Sequence, residues 1–160
     1  MRRILLTCTL AFTLLPVFGG EGKAPPMDKE KSLLIDYVDP FIGTTNFGTT
    51  NPGAVCPNGM MSVVPFNVMG SADNTYDKDA RWWSTPYEHT NCFFTGYSHV
   101  NLSGVGCPEL GSLLLMPTTG ELNVDYKEYG SKYKDEQASP GYYSNYLTKY
   151  NIKTEVSATP

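Results

Sequence analysis

A strict alternation of residue types near the C-terminal end of the sequence is the feature that most constrains its fold. The alternation sets four small or apolar residues against three polar ones: Ile152, Thr154, Val156 and Ala158 against Lys153, Glu155 and Ser157. A period of two is typical of a β-strand with one buried face. No segment shows the 3.6-residue period of an amphipathic helix over the roughly 11 residues that such a pattern needs. We therefore predict a protein of strands rather than helices.

The composition favours short strands joined by many turns. The 160 residues include 15 Gly, 12 Pro and 11 Tyr, and only 18% are charged. Turn-forming residues together with β-favouring aromatics are typical of all-β domains. Strands are also predicted at residues 60–66, with Pro65 at an edge or a bend, at 91–102 together with a loop, and at 113–116 as a buried run. The predicted fold class is all-β, an antiparallel β-sandwich.

The first 20 residues have the pattern of a secretory signal peptide. A basic pair, Arg2 and Arg3, precedes an apolar stretch at residues 4–18, and two small glycines follow it. This stretch is too short for a stable membrane span. A secreted or periplasmic location is therefore predicted, with lipid attachment through Cys8 as the alternative.

The rest of the chain is predicted to be one domain behind a tether. Residues 21–32 are polar and contain Pro25 and Pro26, so a flexible tether is expected there. The domain at residues 33–160 is long enough to bury a core. Because the chain ends at Pro160, directly after a predicted strand, we expect this domain to be truncated at its C-terminal end.

Net charge and cysteine spacing argue against several classes of function. The formal net charge is -4 and no Lys/Arg cluster follows the N-terminal basic pair, which argues against nucleic acid or an anionic membrane as partner. Signal cleavage would leave three cysteines, Cys56, Cys92 and Cys107. An odd number without C-x-x-C spacing favours neither a disulfide scaffold nor a structural zinc site. Free thiols are expected, with one disulfide as the alternative.

Five segments carry a family resemblance. They are YVDPFIGT (37–44), NPGAVCPNGM (51–60), GYSHVNLSGVGC (96–107), LGSLLLMPTTG (110–120) and ASPGYY (138–143). Together, in this order and spacing, they resemble glycoside hydrolase family 92, the exo-acting α-mannosidases. The resemblance covers residues 36–160. The chain departs from the family pattern at residues 44–50, where Gly48 is the only glycine, and at Asn58, where the family usually has an aromatic residue.

The resemblance implies a two-domain enzyme in which this chain is the N-terminal β-sandwich. The C-terminal (α/α)6 barrel of the family is absent here, and in the family it holds the general acid, the general base and most ligands of a calcium ion. The implied reaction releases a terminal α-linked mannose from a glycan with inversion. The implied partners are therefore a mannose-containing glycan and the missing barrel. No catalytic residue and no metal ligand is assigned to this chain.

Four residues are candidates for contacts with the sugar. Sugar sites pair aromatic rings with hydrogen-bonding groups, and Trp82 and Trp83 follow a polar loop, although simple packing explains them equally well. Gly59 lies in the second motif, where a glycine lets the backbone approach a ligand closely. His99 lies in the third motif among Tyr, Ser and Asn side chains, which suits either a sugar contact or a domain junction with buried polar groups.

The carboxylates of the chain form no recognisable catalytic pair or calcium loop. Asp73, Asp77 and Asp79 lack the glycine that follows such residues in a calcium loop, so solvated loop side chains are expected. Glu88 and Glu109 lie near aromatic residues, but their spacing alone assigns neither an acid nor a base.

Three functions fit these features. The chain is the sandwich half of an α-mannosidase and inactive alone, or a secreted module that holds a mannoside on Trp82 or Trp83, or a truncated product without function. Behaviour in solution separates them. A binding module would be monomeric and soluble, whereas an orphaned half-enzyme would aggregate or expose apolar surface.

Overall fold

The computed structural model describes residues 34–45, 48–56, 61–71, 74, 85–99, 101 and 113–159. Within these ranges the chain forms short strands and a helix of a single turn, and residues 34 and 35 are also helical. In chain order they are β1 (Ala54–Val55), β2 (Ser62–Phe66), β3 (Phe93–Phe94), β4 (Gly96–His99), β5 (Leu114–Leu115), α1 (Tyr126–Tyr129), β6 (Ser131–Ser139), β7 (Tyr142–Leu147) and β8 (Ile152–Ser157). The predicted signal peptide and tether lie outside the described residues.

The strands form two four-stranded sheets. The first has the order β1-β2-β4-β5 and the second has the order β3-β6-β7-β8. All of their pairings are antiparallel. The predicted fold class, an antiparallel β-sandwich, is confirmed.

Aromatic residues join the two sheets. Phe94, Tyr97, Tyr143 and Leu147 form a buried cluster with contributions from both sheets. The ring of Tyr97 meets Phe94 at 5.0 Å and 69°, and meets Tyr143 at 6.0 Å and 75°. These are edge-to-face contacts, which aromatic rings favour because their edges are positive and their faces negative. The cluster that joins the two sheets is therefore mainly aromatic.

The alternating C-terminal segment is a half-buried strand, as predicted. It forms β8, in which Thr154 is 7% exposed while Lys153 and Glu155 face solvent. The strand pairs along its whole length with β7. The turn expected at Pro140 and Gly141 joins β6 to β7, and Gly141 has the positive φ of 79° that favours glycine there.

Two strand predictions need correction or refinement. The leucine run before Pro117 was expected to be buried, but Leu114 and Leu115 are 37% and 52% exposed. The reason is that β5 lies at the edge of its sheet and pairs only with β4. Pro65 lies in β2, between two strands, yet β1 pairs only with Ser62 and Val63. Pro65 therefore has no partner strand on the β1 side, which suits a residue that has no N–H group to donate.

Two further findings concern the cysteines and the membrane. Cys56 and Cys92 are free thiols, as predicted, whereas Cys107 lies outside the described residues. The Cys56 thiol donates to the carbonyl oxygen of Ala158 at 2.8 Å, which links the segments that follow β1 and β8. Across the described ranges, no helix has the length and apolar composition needed to cross a membrane.

Candidate functional site

An irregularity in β6 directs the side chain of Glu136 toward the interior of the sandwich. The pairing register between β6 and β7 shifts between Lys134 and Gln137, and Asp135 has a φ of 54°. Ser131 and Tyr133 face inward before the shift, and Glu136 faces inward after it. A regular strand would have continued the alternation with Asp135 inside and Glu136 outside. The β-bulge therefore selects which of two adjacent carboxylates is shielded from water.

Two buried tyrosines hold the Glu136 carboxylate. The Tyr143 hydroxyl donates to Oε1 at 2.5 Å, and the Tyr87 hydroxyl lies 2.9 and 3.0 Å from Oε1 and Oε2. Both tyrosines have no exposed surface, and the Glu136 side chain is only 15% exposed. Hydrogen bonds to a charged acceptor are stronger than those between neutral groups. Glu136 thus links β6 and β7 to the segment that precedes β3.

His89 extends this arrangement to the surface. Its Nδ1 atom lies 2.9 Å from the Tyr87 hydroxyl and 3.9 Å from Oε2 of Glu136. Its side chain is 47% exposed, and its ring centroid lies 5.1 Å from that of Phe41. We call Tyr87, His89, Glu136 and Tyr143 the Glu136 cluster.

Backbone contacts tie the Glu136 cluster to the first sequence motif. The His89 N–H group donates to the carbonyl oxygen of Thr44 at 2.9 Å, and the Thr44 hydroxyl donates to the carbonyl oxygen of Phe41 at 2.7 Å. Thr44 is 1% exposed. The segment YVDPFIGT therefore ends against the exposed side of the cluster.

A second set of side chains fixes the segment that carries Tyr87 and His89. The Asn67 amide donates to the carbonyl oxygen of Glu88 at 2.8 Å and to the Tyr133 hydroxyl at 2.7 Å. Its oxygen accepts from the Glu88 N–H group at 2.8 Å. Tyr133 in turn donates to the carbonyl oxygen of Asn91 at 2.8 Å. Fully satisfied buried networks of this kind make the local backbone rigid.

Burial controls the protonation of the Glu136 cluster. It raises the pKa of Glu136, while the hydrogen bonds from Tyr143 and Tyr87 and the nearby His89 act in the opposite direction. Burial and the neighbouring acidic groups raise the pKa of Tyr87 and of Tyr143 well above the ordinary value. Both tyrosines consequently remain protonated donors at physiological pH. Burial therefore favours the protonated form of Glu136, and the two tyrosines and His89 favour its ionised form.

The hydrogen bonds continue from the Glu136 cluster into the first sheet. Asn145 donates from its amide to the Tyr143 hydroxyl at 3.4 Å and accepts from the Tyr97 hydroxyl at 3.3 Å. Tyr97 is also 2.6 Å from the Thr154 hydroxyl, which bonds Asn145 in turn. The interior of the sandwich is thus crossed by a continuous polar network.

Of the four residues that the sequence predicts to contact sugar, the structure describes the position of one, His99. His99 is half-buried at the end of β4, opposite Val63, and its N–H group donates to the carbonyl oxygen of Leu113 at 3.1 Å. Among its described contacts none reaches the Glu136 cluster. Trp82, Trp83 and Gly59 lie outside the described residues, so their assignment stays a prediction.

Sequence reasoning missed the Glu136 cluster. Glu136 lies in a run of charged residues after Lys132, and such a run predicts an exposed surface. Only the high content of tyrosine hinted that buried hydroxyls would need partners. Glu88, considered as a possible acid or base, is 5% exposed and accepts a hydrogen bond from the Thr90 hydroxyl at 3.2 Å. The remaining sequence candidates, Asp73, Asp77, Asp79 and Glu109, lie outside the described residues.

The described residues do not fit a metal ion. They contain no group of three or more His, Cys, Asp or Glu side chains that is arranged to hold one. Both oxygens of Glu136 face tyrosine hydroxyls, which are themselves donors to the carboxylate. Calcium needs about six to eight oxygen ligands, and this cluster offers far fewer.

One glycine of the matched motifs has a clear structural role. A Cβ atom on Gly53 would lie 2.7 Å from Cγ2 of Val64 and 2.8 Å from the carbonyl oxygen of Val63. Gly53 therefore permits a close backbone approach that a side chain would block. The approach brings the segment before β1 against β2.

Comparison with known proteins places this fold in a family. A model of the glycosyl hydrolase family 92 N-terminal domain matches residues 37–160. The family GH92 alpha-mannosidase BT3965 from Bacteroides thetaiotaomicron is 33% identical with a TM-score of 0.66, and the match covers 79% of this chain and 17% of that chain. The same values hold for its complex with mannoimidazole.

A second solved structure is similar at lower identity. The GH92 inverting mannosidase BT2199 from Bacteroides thetaiotaomicron VPI-5482 is 26% identical with a TM-score of 0.56, and the match covers 78% of this chain and 16% of that chain. No curated protein matches significantly. This chain therefore spans about a sixth of the length of the solved chains it matches. The protein belongs to glycosyl hydrolase family 92 and represents that family's N-terminal domain.

Proposed function

We propose that this chain is the carbohydrate-facing N-terminal domain of an exported exo-α-mannosidase that hydrolyses terminal α-mannosides of glycans with inversion. The observation that carries the proposal is the family match over residues 37–160. Two similar structures support the substrate and the stereochemistry. One is an alpha-mannosidase solved with mannoimidazole, and the other is an inverting mannosidase.

The chain alone is proposed to be inactive. Inverting hydrolysis needs a general acid and a general base whose carboxyl groups lie roughly 6.5–9.5 Å apart, with room for a water molecule. Glu136 does not suit either role, because two tyrosine hydroxyls occupy its oxygens inside the sandwich. The acid and the base are therefore expected in a further domain of the parent enzyme.

An exposed apolar surface supports packing against a further domain. Leu113, Leu114 and Leu115 are 52%, 37% and 52% exposed along the edge strand β5 and the residue before it. Leu122 and Val124, in the segment before α1, are 80% and 85% exposed. Consecutive exposed leucines on a sheet edge are a liability unless another element covers them. This favours the half-enzyme over a stand-alone binding module.

Calcium is proposed for the parent enzyme, with most of its ligands outside this chain. The described residues do not fit such a site. Export through the N-terminal signal peptide is likewise part of the proposal.

The first experiment is the intact mass of the native protein from its source cell. A mass several-fold above 17.7 kDa is expected, because the solved relatives are about six times as long as the matched segment. That protein should release mannose from α-mannosides and lose activity with a calcium chelator. A native mass near 17.7 kDa would contradict the enzyme proposal for this chain.

A further inference from the structure

The hydroxyl of Tyr87 lies between two groups that compete for its single proton. It is 2.9 and 3.0 Å from the oxygens of Glu136 and 2.9 Å from Nδ1 of His89. An ionised carboxylate only accepts hydrogen bonds, and it is a stronger acceptor than a neutral group. The Tyr87 proton therefore points at Glu136. The Tyr87 oxygen is left to accept a hydrogen bond from His89.

This direction determines which nitrogen of His89 carries the proton. In a neutral imidazole one nitrogen donates and the other accepts. Because Nδ1 donates to Tyr87, Nε2 keeps its lone pair. The hydrogen bonds on the Tyr143 side of the cluster also point toward Glu136. Asn145 donates to Tyr143 at 3.4 Å, and Tyr143 donates to Glu136 at 2.5 Å. Every hydrogen bond of the cluster thus points toward the carboxylate.

The Nε2 atom of His89 lies in a setting that suits a carbohydrate hydroxyl. The His89 side chain is 47% exposed, and among the described residues none bonds to Nε2. The half-buried Phe41 ring lies 5.1 Å away at an angle of 56°. Sugars present a C–H face beside their hydroxyl groups, so an aromatic ring next to a hydrogen-bond acceptor matches both.

We propose that Glu136, acting through Tyr87, fixes His89 as the Nδ1–H tautomer and so presents Nε2 beside Phe41 as an acceptor for a hydroxyl of a carbohydrate ligand. Glu136 and Tyr87 are positioning residues, and His89 makes the contact. The choice of a carbohydrate rests on the proposed function. The tautomer rests only on the hydrogen bonds of the Glu136 cluster.

The tautomer is measured by ¹⁵N NMR of the imidazole nitrogens in the full 160-residue chain. The spectra are recorded at a pH about two units above the ordinary His pKa of ~6.5. The sequence has two histidines, so His99 serves as the internal reference. We expect a protonated Nδ1 and an unprotonated Nε2 for His89. A His89 ring that carries its proton mainly on Nε2 would overturn the proposal.

Two matched variants distinguish loss of the hydrogen-bond path between Glu136 and His89 from general destabilisation of the protein. Tyr87→Phe and Tyr143→Phe each remove one fully buried hydroxyl that donates to Glu136. Only Tyr87→Phe breaks the path to His89, and it should lower the ratio of Nδ1–H to Nε2–H by roughly tenfold, as expected for losing one hydrogen bond. Tyr143→Phe should leave the ratio unchanged. An equal decrease of this ratio in both variants would overturn the proposed role of Tyr87.

The ligand is tested with methyl α-mannoside on the same labelled protein. A saturable shift of the His89 Nε2 resonance is expected, because that nitrogen would accept the sugar hydroxyl. No shift at the highest soluble concentration would overturn the carbohydrate assignment. Failure of the native parent protein to release mannose would instead refute the proposed function and leave the tautomer intact.

Discussion

At the residue scale, the candidate site depends on one carboxylate that the sandwich shields from water. Glu136 receives hydrogen bonds from Tyr87 and Tyr143, which favour its ionised form. Burial opposes them and is the larger effect, so the pKa of Glu136 is raised. Ionisation of this group therefore lowers the stability of the folded protein, and the tyrosines reduce that penalty.

Glu136→Gln is expected to remove a pH-dependent loss of stability. The folded protein binds the Glu136 proton more tightly than the unfolded chain, because burial raises the pKa above its ordinary value of 4.5. The stabilising contribution is fully present below this ordinary pKa and is lost as the pH rises through the raised pKa. Urea unfolding at a series of pH values should show the wild type losing stability relative to Glu136→Gln over this window.

Glu155→Gln is the control with the opposite sign. The Tyr142 hydroxyl and Lys153 lower the pKa of the exposed Glu155, so its contribution is present at neutral pH and is lost as the pH falls through the lowered pKa. The effect should be small because solvent screens exposed pairs. If the wild type does not lose stability relative to Glu136→Gln as the pH rises, the account of a buried carboxylate is wrong.

At the scale of elements, the bulge in β6 creates the site. It offsets the inward positions of this strand by one residue and brings Glu136 to Tyr87 and Tyr143. The offset depends on a left-handed conformation at Asp135, with φ of 54°. Aspartate tolerates this conformation better than most residues, and a β-branched residue tolerates it poorly.

Asp135→Val is expected to lower the free energy of unfolding by about 1 kcal/mol, because a β-branched residue is more strained in the left-handed region than aspartate is. Asp135→Gly should be neutral or stabilising, since glycine adopts this φ freely. The Asp135 side chain is 70% exposed, so neither change removes core packing. Denaturant unfolding of both variants gives the comparison. Equal stability of the valine and glycine variants would contradict the proposed role of the bulge.

Packing between the two sheets is tested at β7. Leu147 is fully buried in the cluster with Phe94 and Tyr143, and Leu147→Ala should lower the free energy of unfolding by about 2–5 kcal/mol. Leu122 is 80% exposed, and Leu122→Ala should change it by less than ~0.5 kcal/mol. Similar losses in both variants would mean that Leu147 is not part of the core.

The strands β5, β6 and β8 show which structural features sequence patterns can predict. The alternation in β8 predicted a half-buried strand because its two faces differ in polarity. The run in β6 is polar on both faces apart from Tyr133 and Ala138, so no period was visible. The leucines of β5 predicted burial, and their exposure arises from the position of that strand at a sheet edge. Whether a strand is buried or exposed depends on its pairing partners in the sheet, and the local sequence does not specify those partners.

At the scale of the whole molecule, five short motifs were enough to identify the family. The family match over residues 37–160 and the 33% identity to a solved alpha-mannosidase confirm that resemblance. The Glu136 cluster could not be predicted, because its members come from β6, β7 and the segment before β3. Three of the four sugar-contact candidates, Trp82, Trp83 and Gly59, remain predictions.

The exposed leucines and the length of the relatives support the proposal that this sandwich is one domain of a larger protein. The match covers only 17% of the first alpha-mannosidase chain, and Leu113–Leu115 form an uncovered apolar edge. In such a protein the sandwich would supply rigid positioning groups, and a second domain would supply the acid and the base.

The most direct test follows the native parent protein with an α-mannoside substrate by proton NMR. The account predicts the release of mannose, with the β-anomer as the first product before mutarotation. No release of mannose, or a first product in the α-configuration, would contradict the assignment of this chain to an inverting exo-α-mannosidase.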